Sequence, residues 1–233
     1  MGYLWNVLGD AIAYLTEFGP DLRAIVVLTL IVSILATMIG AGLGIPVGVW
    51  LARARFTGRS LLLGIVNVGM GLPPVLAGLF VLLLLWGDGP LGDLDLLFTP
   101  AAMVGVQTML ALPIAIGVTV GAVAAMSPAA TEQIRALRLT PWSRFTLIVS
   151  EARVGVIGAV AASFGRVIAE VGAVLIVGGN IAGETRVLTT AIVQESRQAR
   201  FGAAVGLGLI LLVLSVLVNG LLTWLQSRGE RVV

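Results

Sequence analysis

The 233-residue chain contains no histidine, no cysteine and no lysine, and only 11% of its residues are charged. Without cysteine it forms no disulfide, and without cysteine or histidine it has no His/Cys metal site and no nucleophile–base pair built on those side chains. Without lysine it cannot form the ordinary phosphate-binding loop, whose lysine contacts the nucleotide phosphates. These absences argue against a membrane enzyme. We expect no catalytic residue, no bound metal and no bound cofactor in this chain.

Long uncharged runs dominate the rest of the sequence, and each exceeds the ~20 residues that a helix needs to cross a bilayer. They cover residues 24–52, 60–87, 96–131 and 201–227. Because helices satisfy their own backbone hydrogen bonds in lipid, we predict an all-α polytopic membrane protein. We predict one domain, 1–233, with about five transmembrane helices, at 22–52, 59–86, 100–126, 153–178 and 201–226.

Residues 3–18 alternate apolar and polar positions at helical spacing, which predicts an N-terminal interfacial helix on the membrane. A short first span is the alternative.

Arginines are concentrated at 53–59, 135–153 and 228–231. Because basic residues accumulate in cytoplasmic loops, these regions and the C-terminus are predicted to be cytoplasmic. The loop at 179–200 is then external although it holds three arginines. The net charge of +2 comes from arginines in the loops and does not indicate a nucleic-acid-binding surface. No nucleic-acid partner is therefore expected.

Glycine and proline mark positions where helices pack closely or break. Glycines four residues apart let helix backbones approach each other, and they occur at Gly40, Gly44 and Gly48, at Gly117 and Gly121, and at Gly202 and Gly206. Proline removes a backbone hydrogen bond. We therefore expect Pro73 and Pro74 to break the second span and Pro113 to interrupt the third. Such breaks line a transport pathway or serve as packing kinks.

Residues 127–151 are predicted to form a cytoplasmic helical hairpin with a turn near Leu139. Ser127–Pro128 and Thr140–Pro141 each place a capping side chain before a proline, which is the pattern of a helix start. Apolar side chains among arginines favour a surface for a partner; the alternative is that they cover the bundle or the membrane surface. The candidate docking residues are Glu132, Ile134, Leu137, Leu139, Trp142 and Phe145.

This hairpin resembles the coupling loop of type I ABC importer permeases. Glu132 and Leu137 match positions of that family's pattern, and residues 140–145, TPWSRF, match its aromatic-rich turn, although other positions differ. Residues 72–114 and 164–192 are similar to the oxyanion branch of the family. The segment GGNIAGETRVLTTAI, at the end of the second stretch, is most similar to the tungstate-specific permeases.

The resemblance implies the type I ABC importer permease fold and a transport subunit for tungstate in the cell membrane. It further implies a homodimer, two copies of a separate ABC ATPase that binds ATP and Mg, and an external binding protein that delivers the anion. A molybdate or sulfate importer permease is one alternative. An ion-coupled secondary transporter is another, although such proteins often show repeated halves or acidic coupling residues within their spans.

Arg166 and Glu170 place two full charges in the fourth predicted span. Their spacing of four predicts a shared helix face and an ion pair that fixes the packing of this span. An unpaired charge at this depth costs about 3 kcal/mol or more. The alternative is that Arg166 binds the anion in transit.

Uncharged hydrogen-bond donors follow the same span and can bind an oxyanion without holding it by net charge. With Pro73 and Pro74, the candidate anion-pathway residues are Gly178, Gly179, Asn180, Thr185, Thr189 and Thr190. The alternative is that Asn180 caps the span and the threonines pack a re-entrant turn.

Overall fold

The computed structural model describes residues 2–16 and 19–230, and this part of the chain is helical without any strand. The helices are α1 (Gly2–Thr16), α2 (Pro20–Arg53), α3 (Arg59–Met70), α4 (Pro74–Leu85), α5 (Pro100–Ala124), α6 (Pro128–Ala136), α7 (Pro141–Glu151), α8 (Arg153–Ile168), α9 (Gly172–Gly178), α10 (Leu188–Arg197) and α11 (Phe201–Glu230), with a short 3-10 turn at Gly92–Leu94. The all-α prediction is confirmed.

Three of these helices, α2, α5 and α11, are long and apolar enough to cross a membrane. The pairs α3–α4 and α7–α8 would raise the number of spans to five if each pair forms one bent span. The chain is therefore a multi-pass helical membrane protein, as predicted.

Helix α1 has 15 residues and is about 22 Å long, shorter than the ~30 Å hydrocarbon core. Its interfacial location stays a prediction, and residues 17–18 of the predicted helix lie outside the described residues.

The chain divides into two compact units, each built from several stretches of sequence. Unit 1 consists of Met1–Ala36, Pro73–Gln107 and Ile168–Val218, and unit 2 of Thr37–Leu72, Thr108–Val167 and Asn219–Val233. Helices α2, α5 and α11 contribute residues to both units. The single domain at 1–233 stays a prediction.

In unit 1, helix α1 packs against the beginning of α11 through glycine. A Cβ added at Gly202 would lie 2.4 Å from the Cβ of Asp10, and one added at Gly206 would lie 3.0 Å from the ring of Tyr14. Leu188 and Leu207 are buried beside this contact in an apolar core. The predicted packing role of these two glycines is confirmed.

In unit 2, the α2 glycines hold the helix against α5. Added Cβ atoms at Gly40, Gly44 and Gly48 would lie 2.6–2.8 Å from side-chain atoms of α5. The small-residue packing predicted for α2 is therefore confirmed. Gly117 approaches the sulfur of Met70, whereas Gly121 has open space beside it.

The two proline predictions have different outcomes. Helix α3 ends at Met70 and α4 begins at Pro74, so the break at Pro73–Pro74 is confirmed. The interruption expected at Pro113 is wrong, because α5 continues through it from Pro100 to Ala124. Membrane helices tolerate proline, and the Pro113 ring packs against α3 at Gly69, where an added Cβ would lie 2.9 Å from the Cβ of Pro113.

The fourth predicted span, 153–178, is not one helix. Helix α8 ends at Ile168 and α9 begins at Gly172. A side-chain oxygen of Glu170 accepts a hydrogen bond from the Ala173 backbone N–H at 3.1 Å. This bond satisfies one of the amide groups that the first turn of a helix leaves without a partner, which explains why a new helix begins here. On its other side, α8 meets α7 at an angle of 80°.

Candidate functional site

The predicted hairpin is present in unit 2 as helices α6 and α7. The Ser127 hydroxyl accepts a hydrogen bond from the Ala130 N–H at 3.1 Å. The Thr140 hydroxyl accepts one from the Ser143 N–H at 3.2 Å. Each cap is followed by proline at the first helical position. Both helix starts are therefore confirmed, and they depend only on local sequence.

One face of the hairpin is anchored in unit 2. Ile134 is 4% exposed and Ile148 is 3% exposed, and both pack with Val49 and Val123 in one apolar cluster. Arg53, the last residue of α2, donates a hydrogen bond from Nη1 to the hydroxyl of Thr131 at 3.4 Å. Ile134 thus holds the hairpin in place rather than lying on its exposed face.

The opposite face presents apolar side chains to the surroundings. Trp142 is 72% exposed and Leu137 is 43% exposed, and Glu132 is also exposed. We call these three residues the coupling surface. Phe145 is half-buried, with its ring 5.6 Å from that of Trp142, and Leu139 is half-buried as well. Of the six predicted docking residues, three are thus accessible, two are partly accessible and Ile134 is not.

The second candidate site is the loop that follows α9 in unit 1. Thr185 donates its hydroxyl hydrogen to the Gly178 carbonyl and accepts a hydrogen bond from the Ile181 N–H at 2.9 Å. Thr190 donates to the Val187 carbonyl at 3.1 Å and accepts from the N–H of the same residue. The Thr185 bond to Gly178 holds the loop against the end of α9, whereas the Thr190 bonds satisfy the beginning of α10.

Thr189 connects this loop to the beginning of α9. Its hydroxyl donates to the Glu170 carbonyl at 2.9 Å. A hydroxyl has one hydrogen to donate, and all three threonines are at most 5% exposed. In this conformation none of the three offers its hydrogen to an anion, which agrees with the interpretation of a packed turn. Their place in the anion pathway stays a prediction.

The Gly-Gly-Asn end of α9 has a left-handed backbone. The φ angles of Gly179 and Asn180 are 71° and 55°, and the Gly179 N–H bonds to the Leu175 carbonyl at 3.0 Å as the helix C-cap. A Cβ added at Gly178 would lie 3.0 Å from the sulfur of Met103. Backbone conformation and close packing thus account for glycine at both positions.

Asn180 belongs to a polar cluster on this loop. Its side-chain amide donates to Oε1 of Gln194, while its buried Oδ1 has no hydrogen-bond partner. Its carbonyl accepts a hydrogen bond from Nη2 of Arg186 at 3.5 Å. Arg186 lines a cavity of about 350 Å³ with Asp21 and Glu184. Two carboxylates beside one guanidinium make this cavity a poor resting place for a dianion.

Two residues that were not predicted from the sequence also hold this loop region. The Thr29 hydroxyl in α2 accepts a hydrogen bond from the Leu188 N–H at 2.9 Å, which satisfies the first turn of α10. The Phe98 N–H donates to the Val177 carbonyl at 2.9 Å, and its ring packs beside Gly179. A threonine inside an apolar run was a visible signal, whereas nothing in the sequence distinguished Phe98.

Arg166 and Glu170 do not share a helix face. Arg166 lies in the last turn of α8, within unit 2, and Glu170 follows the end of that helix, within unit 1. The shared helix face predicted from their spacing is therefore wrong, because the helix ends at Ile168, between the two residues. The pair itself and the binding of an anion by Arg166 stay predictions.

Among the described residues, no group of three or more Asp, Glu, His or Cys side chains could hold a metal ion.

Comparison with known proteins gives these sites a context. Residues 44–231 match the family model described as "Binding-protein-dependent transport system inner membrane component". The chain belongs to this family. It is 42% identical over 86% of its length to a probable anion ABC transporter permease protein of Haloferax volcanii, of which the match covers 88%. It is 35% identical over 98% of its length to the tungstate uptake system permease protein TupB of Peptoclostridium acidaminophilum, which is covered completely.

The fold agrees with this family membership. The crystal structure of a bacterial ABC transporter involved in the import of the acidic polysaccharide alginate superposes with a TM-score of 0.76. The superposition covers 94% of this chain and 83% of the other, at 17% identity, so the likeness concerns the fold alone. The ABC importer permease fold expected from the sequence is confirmed. A member of this family is a transport subunit that works with a binding protein.

Proposed function

We propose that the chain is the permease subunit of an ATP-driven ABC importer that takes up tungstate. The observation that carries this proposal is the 35% identity with the Peptoclostridium tungstate permease over 98% of this chain and all of that protein. The similarity therefore includes both the hairpin and the loop after α9. The Haloferax relative, named as an anion permease, agrees with the charge of this substrate.

Energy for transport comes from a separate ATPase subunit that binds ATP and Mg. The chain has no lysine and so lacks the usual side chain for nucleotide phosphates. The coupling surface offers an exposed tryptophan and leucine to that subunit. Because Ile134 and Ile148 anchor the hairpin in unit 2, movement of the ATPase would move the hairpin and its core together, as a rigid-body switch requires.

Charge distribution supports the orientation of the hairpin. Unit 2 contains ten of the 14 arginines and three acidic residues, whereas unit 1 contains four arginines and nine acidic residues. Arginine-rich regions of membrane proteins face the cytoplasm. The hairpin and the C-terminus of this chain therefore lie on the cytoplasmic side, where an ATPase can reach them.

The transporter contains two copies of this chain, two ATPase subunits and an external binding protein. Tungstate and molybdate are almost identical in size and charge, so the binding protein selects between them. The threonine hydroxyls after α9 already donate to carbonyls. If they contact the anion, they do so in another conformation of the loop, after the hairpins have moved.

Reconstitution tests the function directly. The chain is placed in proteoliposomes with the ATPase and binding protein encoded near it, and uptake of radioactive tungstate is measured with and without ATP. We expect uptake that requires ATP and both partners. Uptake without any ATPase would overturn the importer mechanism in favour of a secondary transporter. Uptake of sulfate but not tungstate would overturn the substrate assignment.

A further inference from the structure

Five arginines of unit 2 line two cavities that share Arg53 and Arg135. We call them the arginine cluster: Arg53, Arg55, Arg59, Arg135 and Arg144. The first four line a cavity of about 250 Å³, and Arg53, Arg135 and Arg144 line a second cavity of about 300 Å³. No Asp or Glu occurs among the described residues that line either cavity. The cluster joins the segment after α2 with the two hairpin helices.

Two of these guanidinium groups, those of Arg53 and Arg59, donate to neutral partners. Arg53 donates to the hydroxyl of Thr131 at 3.4 Å, and Arg59 donates from Nε to the Leu51 carbonyl at 2.9 Å. Arg53 is half-buried, and the charges of Arg135 and Arg144 repel it. Hydroxyl and carbonyl groups accept hydrogen bonds but do not neutralise charge, so the cluster is suited to an anion from outside the chain.

An apolar groove adjoins the two cavities. Its volume is about 530 Å³. Arg53 lines the groove and both cavities, and Arg144 lines the groove and the cavity of about 300 Å³. The rest of its lining is mainly apolar and includes Trp50 and Phe145. Trp50 is 53% exposed and stacks on Phe56 with ring centroids 5.2 Å apart. Tryptophan is enriched where a membrane meets water.

We propose that this region binds an anionic phospholipid, with its phosphate on the arginine cluster and an acyl chain in the groove. A cationic pocket continuous with an apolar groove fits an amphiphile with a negative head. A free oxyanion would fill the cavities but leave the groove unused, and a zwitterionic lipid would bring its own cation towards the arginines. The proposal rests on the proposed function in one respect: the proposed function places the hairpin on the cytoplasmic side of the membrane. The cytoplasmic leaflet is the one that carries the anionic lipids.

Fluorescence quenching by brominated lipids tests the site. The full chain keeps Trp50 as its single tryptophan after Trp5, Trp86, Trp142 and Trp224 are replaced by phenylalanine. It is reconstituted in mixtures of brominated phosphatidylglycerol and brominated phosphatidylcholine. We expect Trp50 to be quenched preferentially by phosphatidylglycerol. Arg135→Gln and Arg144→Gln should each lower the relative association constant by about fivefold, the effect of one basic residue near an anionic surface.

Arg138→Gln is the matched control. Arg138 lies in the same hairpin, is exposed and lines none of the three cavities. The same charge is therefore removed without touching the proposed site, and the preference for phosphatidylglycerol should remain. Equal quenching by the two lipids, or an equal loss in all three variants, would overturn the proposal.

Two further arms separate other occupants of the site. Removal of the preference by millimolar inorganic phosphate or tungstate would assign the cavities to a free oxyanion and overturn the lipid site. Its removal by the partner ATPase would assign the arginines to an acidic segment of that subunit, with the same consequence. Quenching requires no transport, so a missing lipid preference together with intact ATP-dependent tungstate uptake would overturn this inference and leave the proposed function standing.

Discussion

Glu170 holds the beginning of α9 through Ala173. Its carboxylate accepts the Ala173 N–H at 3.1 Å, while its backbone carbonyl accepts the hydroxyl of Thr189 at 2.9 Å. One buried residue therefore fixes both the start of a short helix and the loop that returns to it. This arrangement gives Glu170 a structural role that does not require Arg166.

Replacing Glu170 separates capping from charge. Glu170→Ala should lower the free energy of unfolding by about 1–2 kcal/mol, because an N-terminal N–H of α9 loses its acceptor. Glu170→Gln should retain most of the stability, since its amide oxygen can accept the same hydrogen bond. Thermal and denaturant unfolding in detergent measure both changes. An equal loss in the two variants would show that the negative charge is what matters, as in an ion pair.

Thr189 should contribute to stability more than to anion binding. Thr189→Val removes the hydroxyl and keeps the shape, so unfolding should become easier by about 1 kcal/mol. Thr189→Ser, which keeps the donor, is the control and should recover most of that loss. Tungstate uptake at saturating binding protein should be similar in both variants once the amount of folded protein is matched. A stable Val variant with strongly reduced uptake would instead place this hydroxyl in the pathway.

The packing of α2 on α5 predicts different outcomes for two neighbouring glycines. A Cβ at Gly44 would lie 2.6 Å from the Ala115 Cβ, whereas a Cβ at Gly42 meets no atom within 4 Å. Gly44→Ala should therefore destabilise unit 2 by about 1–3 kcal/mol through overpacking. Gly42→Ala, in the same helix, should be neutral or slightly stabilising because alanine favours helix. Unfolding midpoints compare the two, and a neutral Gly44 variant would contradict the close contact.

Trp142 tests the coupling surface. Trp142→Ala should weaken association with the ATPase by about 2 kcal/mol, roughly thirtyfold, as expected for an interfacial tryptophan. Because the side chain is 72% exposed, unfolding of the chain alone should change by less than about 0.5 kcal/mol. Trp86→Ala, an exposed tryptophan outside the hairpin, is the matched control. Equal ATPase affinity in the two variants would remove Trp142 from the docking surface.

Features that depend on neighbouring residues were predictable from the sequence. Both hairpin helices begin where a hydroxyl residue precedes proline, since capping is a local interaction. Composition alone indicated helices that cross a membrane. Uncharged runs of this length are long enough to span a bilayer, and in lipid a helix satisfies its own backbone hydrogen bonds. At Pro113 the local rule was wrong, because α5 continues through the proline, as membrane helices tolerate.

Residue patterns alone were enough to predict the all-α class, the long apolar helices, the hairpin and the resemblance to oxyanion permeases. These properties follow from hydropathy, capping and motif, which do not require knowledge of distant contacts. The folded chain was needed to show that the helix ends between Arg166 and Glu170. It also showed that Ile134 is buried and that arginines about eighty residues apart share one cavity. Residue spacing cannot reveal these facts. It identifies side chains on one helix face as long as the helix is continuous. It does not show which helices lie side by side.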